Sequence, residues 1–408
     1  MFESKVVIIG AGPAGAAAAL FLAKNGIPSV VLEKETFPRD KICGDALSGK
    51  VVEVIRKLHP AWLNELQSGP QFLGSHGVTF VAPNGKALRV PFRSKTDITQ
   101  PAPGFIAKRI DFDSWLMEKM RSEPLITVRE NTVCRKFERI GKSWKLETAG
   151  GPICTQLVIA ADGAYSSFAK QVGRLETEAE HNCFGLRAYY KNVGGLDHQN
   201  FIELHFLKAF LPGYFWIFPL PNGDANVGVG MRADVLASKN INLKKAFENI
   251  LTESPEIAPR FKHAQLIGGL KAWGLPLGSK KRTISGDNFM LCGDAAMLID
   301  PFTGEGIGNA LMSGMLAAEI AVKACQSNDF TARELNGYDQ AVYKRLGKEF
   351  QLSYRMQQLV NYPWLFNFVV NKAIKNETLR ETISCMFEDI DLRSRLKDPR
   401  FYFKLIFG

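Results

Sequence analysis

Residues 5–15 read KVVIIGAGPAG, and no other stretch limits the fold as tightly. A strand-like apolar run ends in Gly10-Ala11-Gly12-Pro13-Ala14-Gly15, and an Ala/Leu-rich helical stretch follows at once. At this spacing the first glycine permits the tight turn, the second lets backbone approach a pyrophosphate, and the third lets helix and strand pack closely. Phosphate can then sit at the helix N-terminus that opens at Pro13, on free N–H groups from Ala14 onward, since proline has none. A second apolar run, Pro28 to Leu32, ends at Glu33. An acid at that distance accepts hydrogen bonds from a ribose 2′-hydroxyl and repels a 2′-phosphate, so the first nucleotide site favours FAD or NAD over NADP.

The chain has 408 residues, 46% of them hydrophobic, enough for two or three domains. Its formal charge is +10, with Lys and Arg scattered rather than massed. Such a surface suits anionic cofactors, an acidic partner protein or an anionic membrane face, and ordinary solubility explains it equally well. No zinc-finger or RNP-like motif points to nucleic acid. Seven cysteines, Cys43, Cys134, Cys154, Cys183, Cys292, Cys325 and Cys385, form no CxxC and read as reduced cytoplasmic thiols. His59, His76 and His181 lack metal-ligand spacing, so no metal is expected. The first apolar run is cut short by the glycine turn, unlike a signal peptide, and no run has the length to span a bilayer. The expected location is cytoplasmic.

Past the second strand, residues 34–45 form a polar, turn-rich segment, and Lys34, Arg39 and Lys41 put positive charge beside the expected pyrophosphate. A helix is expected after Leu47, a hairpin over 77–92 around Pro83-Asn84-Gly85, and a helix near 110 capped by Asp111 or Asp113. Strands follow at 125–129, 132–138, 143–148 and 157–163, the last ending in Asp162-Gly163. Residues 176–277 turn aromatic and alternating, and read as a mostly antiparallel sheet. A strand at 288–294 then ends in Gly293-Asp294, and a long helix runs to about Lys323. The expectation is an α/β fold: a Rossmann-like FAD-binding domain of residues 1–75, 102–175 and 278–345, an inserted antiparallel substrate domain of 76–101 and 176–277, and a helical region of 346–408.

Three patterns together, GAGPAG at 10–15, Asp162-Gly163 with Ser166 and Ser167, and Gly293-Asp294-Ala295-Ala296 followed by Pro301, Gly304, Glu305 and Gly306, resemble the FAD-binding fold of aromatic-hydroxylase-like flavoproteins. More narrowly, the chain resembles the geranylgeranyl reductase family. Lys41-Ile42-Cys43-Gly44-Asp45 is similar to its Cys-Gly motif, and Tyr214-Phe215-Trp216-Ile217-Phe218-Pro219 to its YxWxFP motif. Leu220 follows, where many relatives carry a basic residue. The resemblance implies reduction of isolated carbon–carbon double bonds in isoprenoid chains by reduced FAD. It implies that Tyr214, Trp216 and Phe218 border the substrate cavity, that Cys43 with Gly44 and Asp45 lies near the flavin, and that Arg109 reaches the FAD; the alternative for Arg109 is pairing with Asp111 or Asp113.

The residues themselves add a physical reading. Asp294 ends a strand and can accept from a ribityl hydroxyl, while Gly304 and Gly306 keep side chains away from a flat ring system. The helix that begins at Ile307 can aim N–H groups and its positive end at the flavin. Tyr214, Trp216 and Phe218 share one strand face, as cavity lining or as packed core, and Phe201, Phe206, Phe210 and Phe215 raise the local aromatic density to suit a long apolar chain. Cys43 either protonates carbon, tunes the flavin or is a small core thiol; Lys41 and Arg39 can lower its pKa. A monooxygenase or halogenase, acting on an apolar or aromatic substrate, and a non-catalytic flavin-bearing protein are the rival functions. The electron donor is either NAD(P)H or a reduced ferredoxin or flavodoxin, an acidic partner for a basic surface. The tail 400–408, RFYFKLIFG, flanked by Arg393, Arg395, Lys397 and Arg400, either docks on the protein body or makes peripheral contact with the inner face of a membrane.

Overall fold

The computed structural model describes residues 2–92, 102–173 and 175–376; the tail 400–408 and Cys385 lie outside them. The chain divides into two compact units. The first comprises Met1–Lys41, Arg109–His181 and Leu275–Ser353; the second comprises Ile42–Lys108, Asn182–Gly274 and the chain from Tyr354 onward.

The first unit is built on an eight-stranded sheet. Its parallel core runs in the order Phe289–Leu291, Gly151–Ala160, Phe2–Ile9, Ser29–Leu32, Ile126–Arg129. Val6, Val7 and Ile8 are fully buried in its centre, as expected of a strand covered on both faces. Cys134–Ile140 and Ser143–Thr148 extend the sheet by antiparallel pairing. The helix Pro13–Lys24 follows the first strand, and every residue from Pro13 to Ala23 is buried. Such a helix needs apolar neighbours all round; it packs along the helix Ile307–Ser327, where Gly314 faces Ala14 and Ala17.

The second unit carries a seven-stranded sheet in the order Gln265–Pro276, Asn182–Lys191, Ala225–Arg232, Tyr214–Pro219, Ile202–His205, Gly77–Val81, Ala87–Pro91. From Asn182–Lys191 to Ala87–Pro91 its neighbouring strands pair antiparallel, except that Ile202–His205 runs parallel to Gly77–Val81. Along Tyr214–Pro219 the side chains alternate. Phe215 and Ile217 point into a core with Phe210, Val227, Val229, Phe247 and Ile250, so Phe210 and Phe215 belong to that core and not to the face of Tyr214, Trp216 and Phe218. The helices Ala233–Ser238, Leu243–Glu253 and Ala258–Phe261 interrupt what the alternating aromatic pattern suggested was sheet alone. Helices Ala332–Leu359 and Pro363–Lys375 close the described chain. No helix among the described residues is long and apolar enough to cross a membrane.

Candidate functional site

In the first unit three loops converge at the carboxyl ends of the parallel strands. Gly10 turns the chain at φ +97°, and a Cβ there would stand 2.5 Å from the Ala161 carbonyl oxygen and 3.0 Å from the Asp162 Cα. A Cβ on Gly15 would stand 1.9 Å from the Gly10 oxygen, so only glycine lets the turn close under the helix. From the third loop, a Cβ on Gly293 would lie 3.3 Å from that of Ala14, and one on Gly306 would lie 3.8 Å from Asp294 Oδ1. Gly10, Asp162, Ala14, Gly293, Asp294 and Gly306 thus form one continuous rim.

Glu33 accepts from Ala11 N at 2.8 Å through Oε2 and from Glu35 N at 3.0 Å through Oε1. Its buried carboxylate ties the glycine turn to the end of the second strand, and each oxygen keeps a second lone pair for a ribose hydroxyl. Lys34 is not brought to the rim: its side chain is 66% exposed and pairs with Glu35. Lys41 reaches Asp294 Oδ2 at 4.0 Å. Arg39 comes nearest the phosphate turn, its Nη2 standing 3.7 Å from where a Gly12 Cβ would be.

Arg39 is held there by a buried carboxylate. Asp113 Oδ2 pairs with Arg39 Nη1 at 2.8 Å, and Asp113 takes a bidentate fork from Arg109 at 2.7 and 2.6 Å. Two guanidinium groups on one carboxylate leave a net positive charge at the glycine turn. The helix starts at Arg109 itself, so Asp111 and Asp113 lie inside it and neither is its cap. Arg109 pairs with Asp113, which in turn pairs with Arg39.

Asp162 carries a clear sign of a missing polar partner. Burial raises its carboxyl pKa, opposed by hydrogen bonds from Ser166 and from the backbone of Ser167 and Phe168. Its Oδ1 is shut off from water and has no hydrogen-bond partner in the protein. Next to it Gly163, at φ +84°, has no atom within 4 Å of its Cβ position. An orphaned acceptor beside open backbone and the uncapped end of a twelve-residue helix fits a dinucleotide's hydroxyl and phosphate groups.

The loop from Pro301 to Gly306 is organised by Asp300, which the sequence reading passed over. Asp300 Oδ1 accepts from Phe302 N at 3.0 Å, Thr303 N at 2.8 Å and Thr303 Oγ1 at 2.9 Å, an Asp-led turn that delivers Gly304 at φ +72°. The helix that follows opens at Ile307 from an N-cap glycine, but its N-terminus is not left wholly to a ligand. Glu305 Oε1 accepts from Gly308 N at 2.5 Å. One of the N–H groups expected to face the flavin is therefore taken by the chain's own carboxylate.

In the second unit the Cys43–Asp45 turn lies against the ring face of Tyr214–Pro219. A Cβ on Gly44 would stand 3.0 Å from Phe218 and 3.9 Å from Trp216 Nε1. Trp216 and Phe218 are each 7% exposed, with ring centres 6.2 Å apart, and Tyr214 lies 6.1 Å beyond Trp216. Room for the indole comes from Gly228 on the next strand, whose Cβ would fall 2.2 Å from it. Asn226, two residues earlier, is fully buried, accepts from Trp216 Nε1 at 2.9 Å and donates to the Cys43 carbonyl at 2.8 Å. Gly228 and Asn226 carry no local mark in the sequence; only cross-strand register, opposite Trp216 and Phe218, brings them here. Among the described residues no cluster of three or more His, Cys, Asp or Glu is placed to hold a metal.

The family model described as "FAD binding domain" matches residues 3–321. Digeranylgeranylglycerophospholipid reductase 1 of Methanothermobacter thermautotrophicus is 31% identical over 357 residues, covering 85% of this chain and 84% of the relative. Menaquinone reductase of Mycobacterium tuberculosis is 30% identical over 376 residues, covering 88% and 85%. Among solved structures, a geranylgeranyl bacteriochlorophyll reductase-like protein from Thermoplasma acidophilum aligns with a TM-score of 0.77 at 23% identity, over 100% of this chain and 96% of that one. The flavin-dependent brominase Bmp2 aligns at 0.76 and 21%, over 98% and 99%. At those two identities the likeness establishes the fold alone.

Proposed function

Because the chain belongs to the FAD binding domain family and is an FAD-dependent oxidoreductase related to digeranylgeranylglycerophospholipid reductases, we propose that it saturates carbon–carbon double bonds in an isoprenoid or polyprenyl lipid. The observation that carries this reading is the Cys43–Asp45 turn seated on the ring face of Trp216 and Phe218: an apolar wall with one thiol-bearing turn against it. When bound, FAD in its reduced form supplies the hydride. The chain's part is to bind and orient. Tyr214, partly exposed beside the buried rings of Trp216 and Phe218, offers apolar surface to a prenyl chain, whose burial yields about 0.8 kcal/mol per CH₂. Cys43, half-buried, is the group assigned to hold the proton that the second carbon takes up. Arg39 and the N-terminus of Pro13–Lys24 hold the pyrophosphate, and Asp162 Oδ1 accepts from a cofactor hydroxyl.

Hydride plus proton adds two mass units per double bond. The test mixes anaerobically prereduced protein with geranylgeranyl phospholipid and, separately, with menaquinone, since relatives bear both names. Flavin reoxidation with a product that stays two mass units heavier after any quinol is oxidised back to quinone supports the reading. In air, substrate-stimulated oxygen consumption with a product that has gained one oxygen atom identifies a monooxygenase instead, and a bound flavin that no donor reduces and no lipid reoxidises identifies a binding protein. NADH, NADPH and a reduced ferredoxin or flavodoxin, tried in turn, find the donor.

A further inference from the structure

Asp45 is fully buried and sits at φ +71°, a left-handed conformation in which glycine is the unstrained residue. A side chain kept there at a cost has work to do, and its partners identify that work. Asp45 Oδ2 accepts from the Tyr189 hydroxyl at 2.7 Å and from Asn226 Nδ2 at 2.7 Å. The same Asn226 amide holds the Cys43 carbonyl at 2.8 Å and, through Oδ1, the Trp216 indole at 2.9 Å. The Asp45 carbonyl accepts from Ala107 N at 3.0 Å, which fixes the turn from behind. Around Tyr189 stand Arg187, its guanidinium carbon 4.0 Å from the ring centre, and Lys108, which also pairs with Asp224 at 3.4 Å.

Four side chains from three separate strands, Tyr189, Asn226 and the pair Trp216 and Phe218, therefore converge on one three-residue turn. Remove the carboxylate and the turn loses its link to Tyr189 and half its link to Asn226, while the backbone has every reason to keep its path. We propose that Asp45 is a positioning residue of the reductive step: with Asn226 and Tyr189 it locks the Cys43 turn in register with the Trp216 and Phe218 face, so that thiol and bound double bond meet in one geometry. This rests on the lipid-reductase reading for its activity arm only.

The decisive variant is Asp45→Gly in the FAD-loaded full chain. Glycine takes the same φ without strain, so the fold survives while the carboxylate goes. The expected result is an unchanged FAD content and a melting temperature lowered only modestly, the strain relieved at φ +71° offsetting part of the two lost hydrogen bonds. The kcat on geranylgeranyl phospholipid should be lower by about tenfold or more, with KM within about twofold, because a small misplacement of reacting groups costs turnover before it costs binding. Iodoacetamide labelling of Cys43, read by peptide mass spectrometry without substrate, should be faster. Asp45→Asn, which keeps an acceptor oxygen, should restore much of both. In a double-mutant cycle Asn226→Leu and Trp216→Phe should be non-additive, since one amide carries both links. Wild-type kcat and wild-type Cys43 labelling in Asp45→Gly overturn the proposal, as does a loss of kcat that tracks a loss of melting temperature or FAD. If wild-type protein reduces no lipid, the functional reading fails, and the labelling arm still decides whether Asp45 fixes the turn.

Discussion

Gly314 lies against the backbone of Ala14: a Cβ at 314 would stand 2.1 Å from the Ala14 carbonyl oxygen and 3.1 Å from the Ala17 Cβ. The helix carrying the phosphate end of the site is thus set in place by a glycine three hundred residues away. Gly314→Ala must push the two helices apart, and overpacking of this kind costs about 1–3 kcal/mol. Because Ala14 sits in the glycine turn, FAD affinity should fall along with stability. Gly347→Ala is the control, since its Cβ would make ordinary contact at 3.7 Å with Tyr343 and should add up to about 1 kcal/mol of helix propensity. Thermal melts and flavin-fluorescence titrations of both variants decide; equal melting temperatures would refute the packing argument.

Arg39 and Arg109 share the Asp113 carboxylate but should fail differently. Arg39→Ala removes the guanidinium facing the glycine turn. A charge-assisted hydrogen bond is worth about 1.5–3 kcal/mol, so the FAD dissociation constant should rise roughly tenfold or more while the apo protein melts near the wild-type temperature. Arg109→Ala strips the fork from a fully buried carboxylate, and the loss should appear in apo stability, about 3–5 kcal/mol, before it appears in affinity. If both variants lose affinity and neither loses stability, Arg109 touches the cofactor directly.

These residues mark where the sequence could be read and where it could not. Gly10, Gly12, Gly15 and Glu33 carry their geometry in local spacing, because strand, turn and helix are consecutive and the backbone contacts are short-range. The strand Tyr214–Pro219 was legible for the same reason. Asp113, Gly314, Asn226 and Tyr189 were not, since each acts on a segment far away in the chain, and only sheet register and helix packing bring the partners together. Glu305 was read as part of a motif, but its use as a cap on Gly308 depends on a loop conformation that Asp300 imposes.

The thiols should separate by reactivity. Burial pushes Cys134, Cys183 and Cys292 up to about 12, and raises Cys325 as well. Cys43 is only half-buried. At about pH 8 iodoacetamide should therefore mark Cys43 in native protein and leave the buried Cys134 and Cys292 unmodified until denaturant is added. Peptide mapping after timed labelling reads this directly; early labelling of Cys292 would contradict the packing around it.

Acid should expose the ion pair that anchors the second unit's sheet. Glu203 takes a bidentate fork from Arg260 at 2.6 and 2.8 Å and a third bond from His205 Nε2 at 2.8 Å. Burial alone would raise the Glu203 carboxyl, but the Arg260 and His205 bonds outweigh it and hold the pKa below the ordinary 4.5. A depressed carboxyl contributes stability that is fully present above the unfolded-state value and is lost as pH falls through the folded one. Arg260→Met leaves the buried charge with the His205 bond alone at neutral pH, at a cost of up to about 3–5 kcal/mol. Protonation removes that charge, so the gap between wild type and Arg260→Met should narrow as pH drops from about 7 to about 4, the range in which a carboxylate takes up its proton. Urea midpoints at three pH values measure it, and a gap that stays constant or widens in acid would show that Arg260 supports the sheet by packing, not by charge.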